Sequence, residues 1–379
     1  MKEKIKTLGY LLFALNYKVC TLLCRRNPKK VVGIMTHDAS RESNVGMVLE
    51  QLSKNADFKI ERIKRGDEKS LSFFFIKSYH LATASFILQD NVFLPMAYMK
   101  FPKKVKVIQL WHGTGTIKKF GQDFNIGRLK ELERRANGTI THMIVNSEQM
   151  KWIYQSAFGI PEDKLYALGL PRTDALFDLE RRKRNKEEFY QQYPKLRNKK
   201  LLLYAPTFRD KEAANPKVRL EIESLLEALP KEYVLGLKLH PFVAAAFQSK
   251  AYEAFGERVV NLSQYSDINT LYEVSEALIT DYSSVIYDYC ILDKQMYFYA
   301  YDLEDFLKEG RGTYLKYQEN MPGPIAYTTQ ELAEALQKGL VKDEYDYEAL
   351  KRFKEESYQH FDGNSTKRVV KLLLESNSL

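Results

Sequence analysis

The chain of 379 residues is poor in the residues that mark the special classes of protein. It has 3 cysteines, 18 glycines and 12 prolines, which excludes a disulfide scaffold and argues against collagen-like, low-complexity or disordered chains. Cys20, Cys24 and Cys290 cannot all pair, and their spacing fits no C-x-x-C or zinc motif. Hydrophobic residues make up 45% and charged residues 28%. This composition predicts a globular protein of two or three domains in the reducing cytoplasm.

The sequence also lacks an even spread of positive charge. The formal net charge is +9, and residues 1–30 carry most of it, with eight Lys and Arg residues against Glu3 alone. A nucleic-acid-binding domain would place its cations over a folded face, often with interleaved aromatic residues. We therefore expect no nucleic-acid partner. The basic terminus indicates an anionic membrane surface instead.

Long hydrophobic runs are absent, because the longest uncharged stretch near this terminus, Thr7 to Tyr17, is too short to span a bilayer. A signal-peptide cleavage site is missing too. Residues 1–28 are predicted to form an amphipathic membrane-associating segment that lies in the interface of a membrane. A helix packed on the protein's own core is the alternative. Six apolar residues recur at steps of three and four, the spacing of one helical face: Ile5, Leu8, Leu12, Leu15, Val19 and Leu22.

Short β-branched and aromatic runs alternate with segments of helical period from Lys30 onward. This alternation predicts an α/β protein with parallel sheets covered by helices. The charged segment 180–188 marks the predicted connection between two Rossmann-like domains that face each other, residues 29–185 and 186–346, followed by a helical segment, 347–379. The predicted strands are Val31–Met35, Val105–Leu110, Met143–Asn146, Leu165–Leu168, Leu201–Tyr204, Val234–Leu239, Ala277–Thr280 and Met296–Tyr299.

Polar motifs follow these strands at the carboxyl edge, where open parallel sheets bind ligands. After Val105–Leu110 comes the stretch from Trp111 to Thr116, in which Gly113 and Gly115 allow close backbone approach to an anion beside His112. A glycine turn with a hydrogen-bonded histidine is the alternative for this motif alone.

Two arginines lie beyond later strands. Arg172 follows Leu165–Leu168, and Arg209 follows Leu201–Tyr204. The guanidinium group suits phosphate oxygens, but each arginine can equally form a local ion pair, with Asp174 or Asp210 respectively.

A second histidine and a serine pair follow the remaining strands. His240 stands after Lys238 and Leu239, and Ser283 and Ser284 open a helix that also contains Asp288. Serine hydroxyls and the first N–H groups of a helix suit a phosphate, although plain helix capping explains the serines as well. Asp288 can reach a ribose or a polar headgroup, or merely be solvated.

Taken together, these strand ends predict a cleft for a diphosphate compound. D-x-D, G-x-x-x-x-G-K-[ST] and G-x-S-x-G motifs are missing from the sequence, which argues against common metal-dependent sugar transferases, P-loop NTPases and α/β-hydrolases. We therefore predict neither a metal site nor a cofactor.

The motifs resemble those of the CDP-glycerol glycerophosphotransferases of wall teichoic acid synthesis. The resemblance spans about residues 105 to 312. Five segments in order carry it: Gln109–Thr114 with Lys118 to Gly121, Gly169–Arg172, Tyr204–Asp210, Lys238–Pro241, and Thr280–Ser284 with Asp288.

This resemblance implies a glycosyltransferase-B architecture and the transfer of glycerol phosphate from CDP-glycerol with release of CMP. His112 and His240 correspond to the family's two important histidines, so the resemblance makes them catalytic. Arg209 and Leu239, which lie within the matched segments Tyr204–Asp210 and Lys238–Pro241, are also predicted to bind substrate. The positions that match donor binding are Gly113, Thr114, Gly115, Thr116, Ile117, Arg172, Pro206, Thr207, Lys238, His240, Ser283, Ser284 and Asp288.

The resemblance is to the primase type, because polymerases of the family carry substantial extra domains before this module. It implies an undecaprenyl-diphosphate-linked ManNAc-GlcNAc acceptor. An acceptor hydroxyl would attack the β-phosphorus of CDP-glycerol, with His112 as the preferred base and Asp38 as an acceptor contact or base. The alternatives are a glycerol- or ribitol-phosphate polymerase, a capsule-polymer transferase, and a noncatalytic membrane-bound nucleotide-binding protein.

Overall fold

Two parallel six-stranded sheets organise the chain, as the sequence predicts. The computed structural model describes residues 2–209, 218–246, 255–310 and 312–375. The chain forms two compact units. Unit 1 comprises Met1–Thr114, Lys119–Phe177 and Ser357–Leu379, and unit 2 comprises Gly115–Lys118 and Asp178–Glu356. The predicted boundary at 185/186 falls inside the helix Leu179–Gln192 of unit 2.

The sheet of unit 1 has the strand order β2-β1-β3-β4-β5-β6. Successive strands are added on one side of β1 as far as β2 and on its other side from β3 onward, so the topological switch point lies between β1 and β3. Such a switch point leaves a crevice at the carboxyl edge of a parallel sheet. The strands are β1 Asn27–Met35, β2 Lys59–Lys64, β3 Ala84–Gln89, β4 Lys106–Gln109, β5 His142–Val145 and β6 Leu165–Ala167.

Helices cover both faces of this sheet. Successive strand residues, such as Val31 and Val32, point to opposite faces and belong to two separate apolar clusters, as expected for a sheet buried on both sides. The helix Lys2–Leu23 packs on one cluster, and the helices Asn44–Ser53 and Ser365–Leu374 pack on the other. The remaining helices of unit 1 are Ser78–Thr83, Gly127–Asn137 and Lys151–Phe158.

The sheet of unit 2 has the order β12-β11-β10-β7-β8-β9, with its switch point between β7 and β10. Its strands are β7 Lys200–Tyr204, β8 Tyr233–Leu237, β9 Val259–Asn261, β10 Ser275–Thr280, β11 Met296–Tyr299 and β12 Ile325–Ala326. Among its described residues, the α-helices of unit 2 are Leu179–Gln192, Ile222–Glu227, Pro241–Ala246, Ile268–Val274, Val285–Tyr289, Leu303–Glu309, Tyr317–Asn320, Thr329–Leu336 and Tyr347–Ser357. The last of these ends at Ser357, where the chain returns to unit 1.

The carboxyl-terminal residues return to unit 1. Asp174 accepts hydrogen bonds from the backbone N–H groups of Ser365 and Thr366, at 2.9 and 2.8 Å, and so holds the first turn of the helix Ser365–Leu374. Gln359 N–H donates to the Asn146 carbonyl at 2.9 Å. The predicted segment 347–379 is therefore divided, with its first helix in unit 2 and its second in unit 1.

The helix Lys2–Leu23 uses its two apolar faces differently. Phe13, Ala14 and Tyr17 are buried in the core of unit 1, where the Phe13 ring lies 4.7 Å from that of Phe73. The opposite face carries the six residues from which the sequence predicts an interfacial helix, and all six are exposed, from Leu12 at 40% to Leu22 at 76%. The alternative prediction, a helix packed on the protein's own core, is therefore correct for the first face. The second face is not covered by any part of unit 1 that the structure describes.

Among the described residues, no helix is both long enough and apolar enough to cross a bilayer.

Candidate active site

His112 is presented by a strained turn at the end of β4. The preceding residue, Trp111, has a φ of +54°, which is costly for a bulky side chain and is found where the surroundings enforce it. Here Trp111 N–H donates to Gln109 Oε1 at 2.9 Å, and Asn44 Nδ2 donates to the Trp111 carbonyl at 3.0 Å. These two amides hold the turn and so fix where the His112 side chain starts.

The imidazole of His112 has a defined tautomer. Its Nδ1 lies 3.0 Å from the carbonyl oxygen of Asp90. A carbonyl can only accept, so Nδ1 carries the proton and Nε2 keeps its lone pair. Burial, and then the charges of His37 and Arg172, lower the pKa of His112 from 6.5 to about 4, against the opposing effect of the Asp90 hydrogen bond. A neutral, oriented imidazole at a strand exit can accept a proton at Nε2.

Asp90 joins the two strands at the switch point of unit 1. It follows β3 and is 1% exposed, and its carboxylate accepts the N–H groups of Thr36, His37 and Asp38 after β1. Burial raises the pKa of Asp90, and these three bonds partly oppose the rise. Asp38 Oδ1 accepts from Ser40 N–H at 2.8 Å, so the carboxylate predicted as an acceptor contact or base orders its own loop.

Arg172 lies beside the same turn. Its backbone N–H donates to Asn44 Oδ1, and its Nη1 donates to the His112 carbonyl, both at 2.9 Å. Asp174, the predicted ion-pair partner, holds the helix Ser365–Leu374 as described above. Arg172 therefore supports the His112 turn in this structure and lies within the same strand-exit region.

The predicted anion loop after His112 is divided between the units. Thr114 belongs to unit 1, where its carbonyl accepts from the buried Asn146 side chain at 2.8 Å. Gly115 belongs to unit 2, and a Cβ there would overlap the ring of Tyr287. The same tyrosine donates to the Thr116 carbonyl at 3.1 Å, and Ile117 is buried. The close approach that Gly115 permits is therefore to an aromatic ring of unit 2.

Asp281 has in unit 2 the place that Asp90 has in unit 1. It follows β10, is 1% exposed, and accepts Thr207 N–H after β7 at 2.8 Å. Its second oxygen accepts Nη1 of Arg209 at 2.8 Å, and Asp302 binds the other side of that guanidinium at 2.7 and 2.9 Å. Arg209 is thus engaged in local ion pairs with two carboxylates. The partner considered from the sequence, Asp210, lies outside the described residues.

These contacts bring several predicted residues of unit 2 around one pocket. Phe208 stacks on the exposed His240 ring with centroids 4.5 Å apart. The Thr207 hydroxyl is buried, and within residues 2–209, 218–246, 255–310 and 312–375 it has no hydrogen-bond partner. A ligand in this pocket would meet an unused hydroxyl and an accessible imidazole. The predicted site residues in the lining are Pro206, Thr207, Arg209, Leu239 and His240.

The other predicted residues of unit 2 lie outside that lining. Lys238 Nζ donates to the carbonyls of Ser263 and Tyr265 at 3.1 and 2.6 Å, and burial lowers the pKa of Lys238. Ser283 Oγ lies 3.5 Å from Val285 N–H, whereas Ser284 is exposed and its side chain makes no cap bond. Asp288 is 5% exposed, which excludes the solvated alternative.

Several residues that build the site were not singled out from the sequence. Asp90 follows a strand, Ala84–Gln89, that the sequence pattern did not reveal, and the rule of inspecting strand exits would have found it. His37 lies in the stretch that suggested Asp38. The side chains of Asn44 and Asn146 act on distant carbonyls, for which the sequence gives no signal. In the part of the chain that the structure describes, no group of three His, Cys, Asp or Glu side chains could hold a metal ion.

Comparisons with known proteins identify the family of the chain. The family described as CDP-Glycerol:Poly(glycerophosphate) glycerophosphotransferase matches residues 23–375. The chain is 33% identical over 376 residues to the teichoic acid poly(ribitol-phosphate) polymerase of Bacillus spizizenii, covering 97% of the chain but only 59% of the polymerase. It is 32% identical over 377 residues to the teichoic acid ribitol-phosphate primase of the same species, covering 94% of each.

Two further relatives extend the comparison. The teichoic acid glycerol-phosphate primase of Bacillus subtilis is 31% identical over 300 residues, covering 78% of this chain and 74% of the primase. The fold is similar to that of the wall teichoic acid polymerase TagF, with a TM-score of 0.79 and 24% identity over 98% of this chain and 94% of that chain. The relatives thus include both primases and polymerases, and both glycerol and ribitol phosphates.

Proposed function

Since the chain belongs to the CDP-glycerol:poly(glycerophosphate) glycerophosphotransferase family, we propose that it transfers glycerol phosphate from CDP-glycerol and releases CMP. The proposed acceptor is the ManNAc-GlcNAc disaccharide on undecaprenyl diphosphate, which receives its first glycerol phosphate. The observation that carries the proposal is the neutral imidazole of His112, which follows β4 and is oriented by the carbonyl of Asp90 at the switch point of unit 1.

The proposed reaction is an in-line displacement at the β-phosphorus of the donor. The acceptor hydroxyl oxygen forms a bond to that phosphorus, while the bond from phosphorus to the bridging oxygen breaks and CMP leaves. The hydroxyl proton passes to Nε2 of His112, the nitrogen that the Asp90 carbonyl leaves unprotonated. Negative charge near the imidazole would raise the pKa of His112 from its low value, because it favours the imidazolium.

Unit 2 is proposed to bind the donor. The buried hydroxyl of Thr207 and the exposed hydroxyl of Ser284 are donors suited to phosphate oxygens. His240 is proposed to stabilise or protonate the leaving phosphate of CMP, with its ring plane set by Phe208. The permanent charge of Arg209 is balanced by Asp281 and Asp302, so we assign it to holding the Thr207 loop.

A donor screen tests this proposal. The full chain is incubated with the lipid-linked disaccharide and either CDP-glycerol or CDP-ribitol, and CMP release and product mass are measured. We expect acceptor-dependent CMP release with CDP-glycerol and a product heavier by one glycerol phosphate. Turnover of CDP-ribitol alone would assign the ribitol reaction, and products with many added units would assign a polymerase. Donor binding without CMP release would identify a noncatalytic nucleotide-binding protein.

The protein is further proposed to act peripherally at the cytoplasmic face of the bacterial cell membrane. The uncovered face of the helix Lys2–Leu23 supports this, since a row of exposed leucines on a folded unit costs free energy in water. Leu71, Phe75 and Ile76, on the adjoining segment, are exposed by 78%, 55% and 51%. Asn16 Nδ2 donates to the Phe75 carbonyl at 3.1 Å and fastens the helix to this segment.

Charge specifies what would cover these apolar side chains. Lys18 and Arg25 are exposed along and beyond the helix, and residues 1–30 hold eight cations against one acidic residue. An apolar face bordered by cations complements an anionic lipid surface, in which the leucines enter the acyl boundary and the cations meet headgroups. The occupant we propose is therefore a membrane containing anionic lipid, the location of the proposed acceptor.

A further inference from the structure

His112 is enclosed by rings on both faces. The ring of His37 lies nearly parallel to it, with centroids 3.7 Å apart and planes at 12°. The ring centroid of Trp111 lies 3.9 Å from that of His112, with the two planes at 33°. Because two rings cannot both lie so close to one face of the imidazole, Trp111 covers the face opposite to His37. Trp111 in turn stacks on Phe120 at 5.1 Å. His112 is thus the inner imidazole of a column of rings, and His37 ends that column.

The contact between the two histidines is built into the backbone. The carboxylate of Asp90 accepts the His37 N–H at 3.2 Å from each oxygen, and the carbonyl of Asp90 faces Nδ1 of His112 at 3.0 Å. One buried residue therefore sets the position of both rings. His37 itself is exposed, whereas His112 is partly buried.

The stack restricts the protonation of His112. A positive charge on the His37 ring would repel a second one on the ring of His112 in face-to-face contact with it, and this repulsion is one of the causes that lower the pKa of His112. The charged and titratable groups of unit 1 that act on His112 are His37 after β1 and Arg172 after β6, and the backbone carbonyl of Asp90, after β3, accepts the hydrogen bond of Nδ1. His37 and Arg172 oppose protonation of His112, and the hydrogen bond to Asp90 favours it.

We propose that His37 is a positioning residue for His112: its ring fixes the plane of the inner imidazole and keeps Nε2 of that ring unprotonated until the acceptor hydroxyl delivers its proton. This inference rests on the proposed function, in which His112 is the base. His37 itself does not touch the reacting atoms in this scheme. It acts through the ring on which it stacks.

Two substitutions separate the contributions of ring and charge. His37→Phe keeps an aromatic ring against His112 but removes the group that can be charged, whereas His37→Ala removes both and admits water. Both should raise the pKa of His112, and His37→Ala more, by about one pH unit, since burial is the largest cause of its low value. The acid limb of kcat/KM should move to higher pH by the same amount.

The measurement is an NMR titration of histidine-labelled protein alongside the pH–rate profile. His142 is the internal control, because its pKa is also lowered to about 4, by burial and then by Lys106 and Lys164, at the opposite end of the sheet. We expect the His142 signal to be unchanged in both variants. At neutral pH, His37→Ala should lower kcat about tenfold through loss of alignment, and His37→Phe should restore most of it.

The outcomes distinguish this inference from the proposed function. An unchanged His112 titration in His37→Ala would overturn the inference, whatever the activity. Equal shifts of His112 and His142 would also overturn it, since they would report general loosening of unit 1. If the His112 titration shifts as expected while His112→Ala keeps full turnover, the stack would stand and the role of His112 as base would fall.

Discussion

In each unit a buried aspartate holds the loops at the switch point of the sheet, but the two aspartates have differently charged partners. In unit 1, the Asp90 carboxylate accepts three backbone N–H groups, and its backbone carbonyl accepts the Nδ1 proton of the neutral His112. In unit 2, Asp281 accepts one N–H from the facing loop and also the guanidinium of Arg209, which it shares with Asp302. Both carboxylates are 1% exposed. The difference therefore lies in the partners and not in the burial.

This difference suits two tasks. Among the described residues Asp90 makes no ion pair, and its backbone carbonyl orients the imidazole of His112, which is proposed to accept a proton. In unit 2 the arginine remains charged at every accessible pH, and its ion pairs fix the Thr207 loop. The comparison suggests that unit 1 is arranged for proton transfer and unit 2 for holding a charged ligand.

Neutralising each aspartate should test the comparison most strongly. Asp281→Asn removes a buried partner of Arg209 and should lower the free energy of unfolding by about 3–5 kcal/mol, the usual cost of leaving a buried charge without its counterion. Asp90→Asn keeps an acceptor oxygen and should cost about 1–3 kcal/mol. Denaturant unfolding gives the size, and hydrogen exchange shows which unit loosens. Asp305→Asn, at an exposed position, is the control. Equal losses would contradict the distinction.

The histidines come next in expected effect. His112→Ala and His240→Ala should each reduce turnover by about a hundredfold or more, because each is proposed to handle a proton or a developing charge. A donor with a better leaving group should recover activity in the His240 variant but not in the His112 variant. His142→Gln, at the far end of the unit 1 sheet, serves as control for both. Near-normal turnover in either alanine variant, with the fold intact, would remove that residue from the mechanism.

The smallest expected effect is on membrane binding, which substitutions in unit 1 should weaken and substitutions in unit 2 should leave unchanged. Replacing Leu8, Leu15 and Leu22 in unit 1 by glutamine should weaken binding to anionic vesicles at least tenfold, about 1.4 kcal/mol, because each leucine loses apolar area from the lipid. Deleting the whole helix is a poorer test, since it also removes buried Phe13 and Tyr17. The matched control in unit 2 replaces the exposed apolar residues Leu179, Leu307 and Val341. Equal weakening by both sets in a sedimentation assay would refute a specific lipid face.

The sequence predicted the two parallel sheets because their central strands are apolar runs with polar exits. It missed the edge strand Lys59–Lys64 because only Ile60 and Ile63 are apolar there, three positions apart among four charged residues. It also missed two further short edge strands, Val259–Asn261 and Ile325–Ala326. It also missed Ala84–Gln89, which directly follows a helix with no turn residue between them. Because Asp90 directly follows this central strand, its place at a strand exit was missed as well.

The candidate site was predicted less evenly. Motifs identified His112, His240 and Thr207, whose side chains lie at strand exits, as sequence reasoning can infer. The stacking of His37 on His112 could not be inferred, since it depends on two loops meeting across a switch point. The exposed face of Lys2–Leu23 was recognised from spacing, but the buried face needs Phe73 and Phe93, which lie far along the chain.

The return of the carboxyl-terminal residues to unit 1 has a consequence for synthesis on the ribosome. The carbonyl of Asn146 receives the Gln359 N–H, and Lys106 binds the carbonyls of Leu372 and Leu373. Unit 1 therefore begins to emerge before unit 2 but cannot close until the residues from Gln359 to Leu373 have been synthesised. Unit 2 lies between these pieces in the chain, so it is synthesised while its neighbour is still incomplete. During that interval the nascent chain exposes the apolar sheet face that the last helix will cover, which makes this the stage at which a chaperone would matter most.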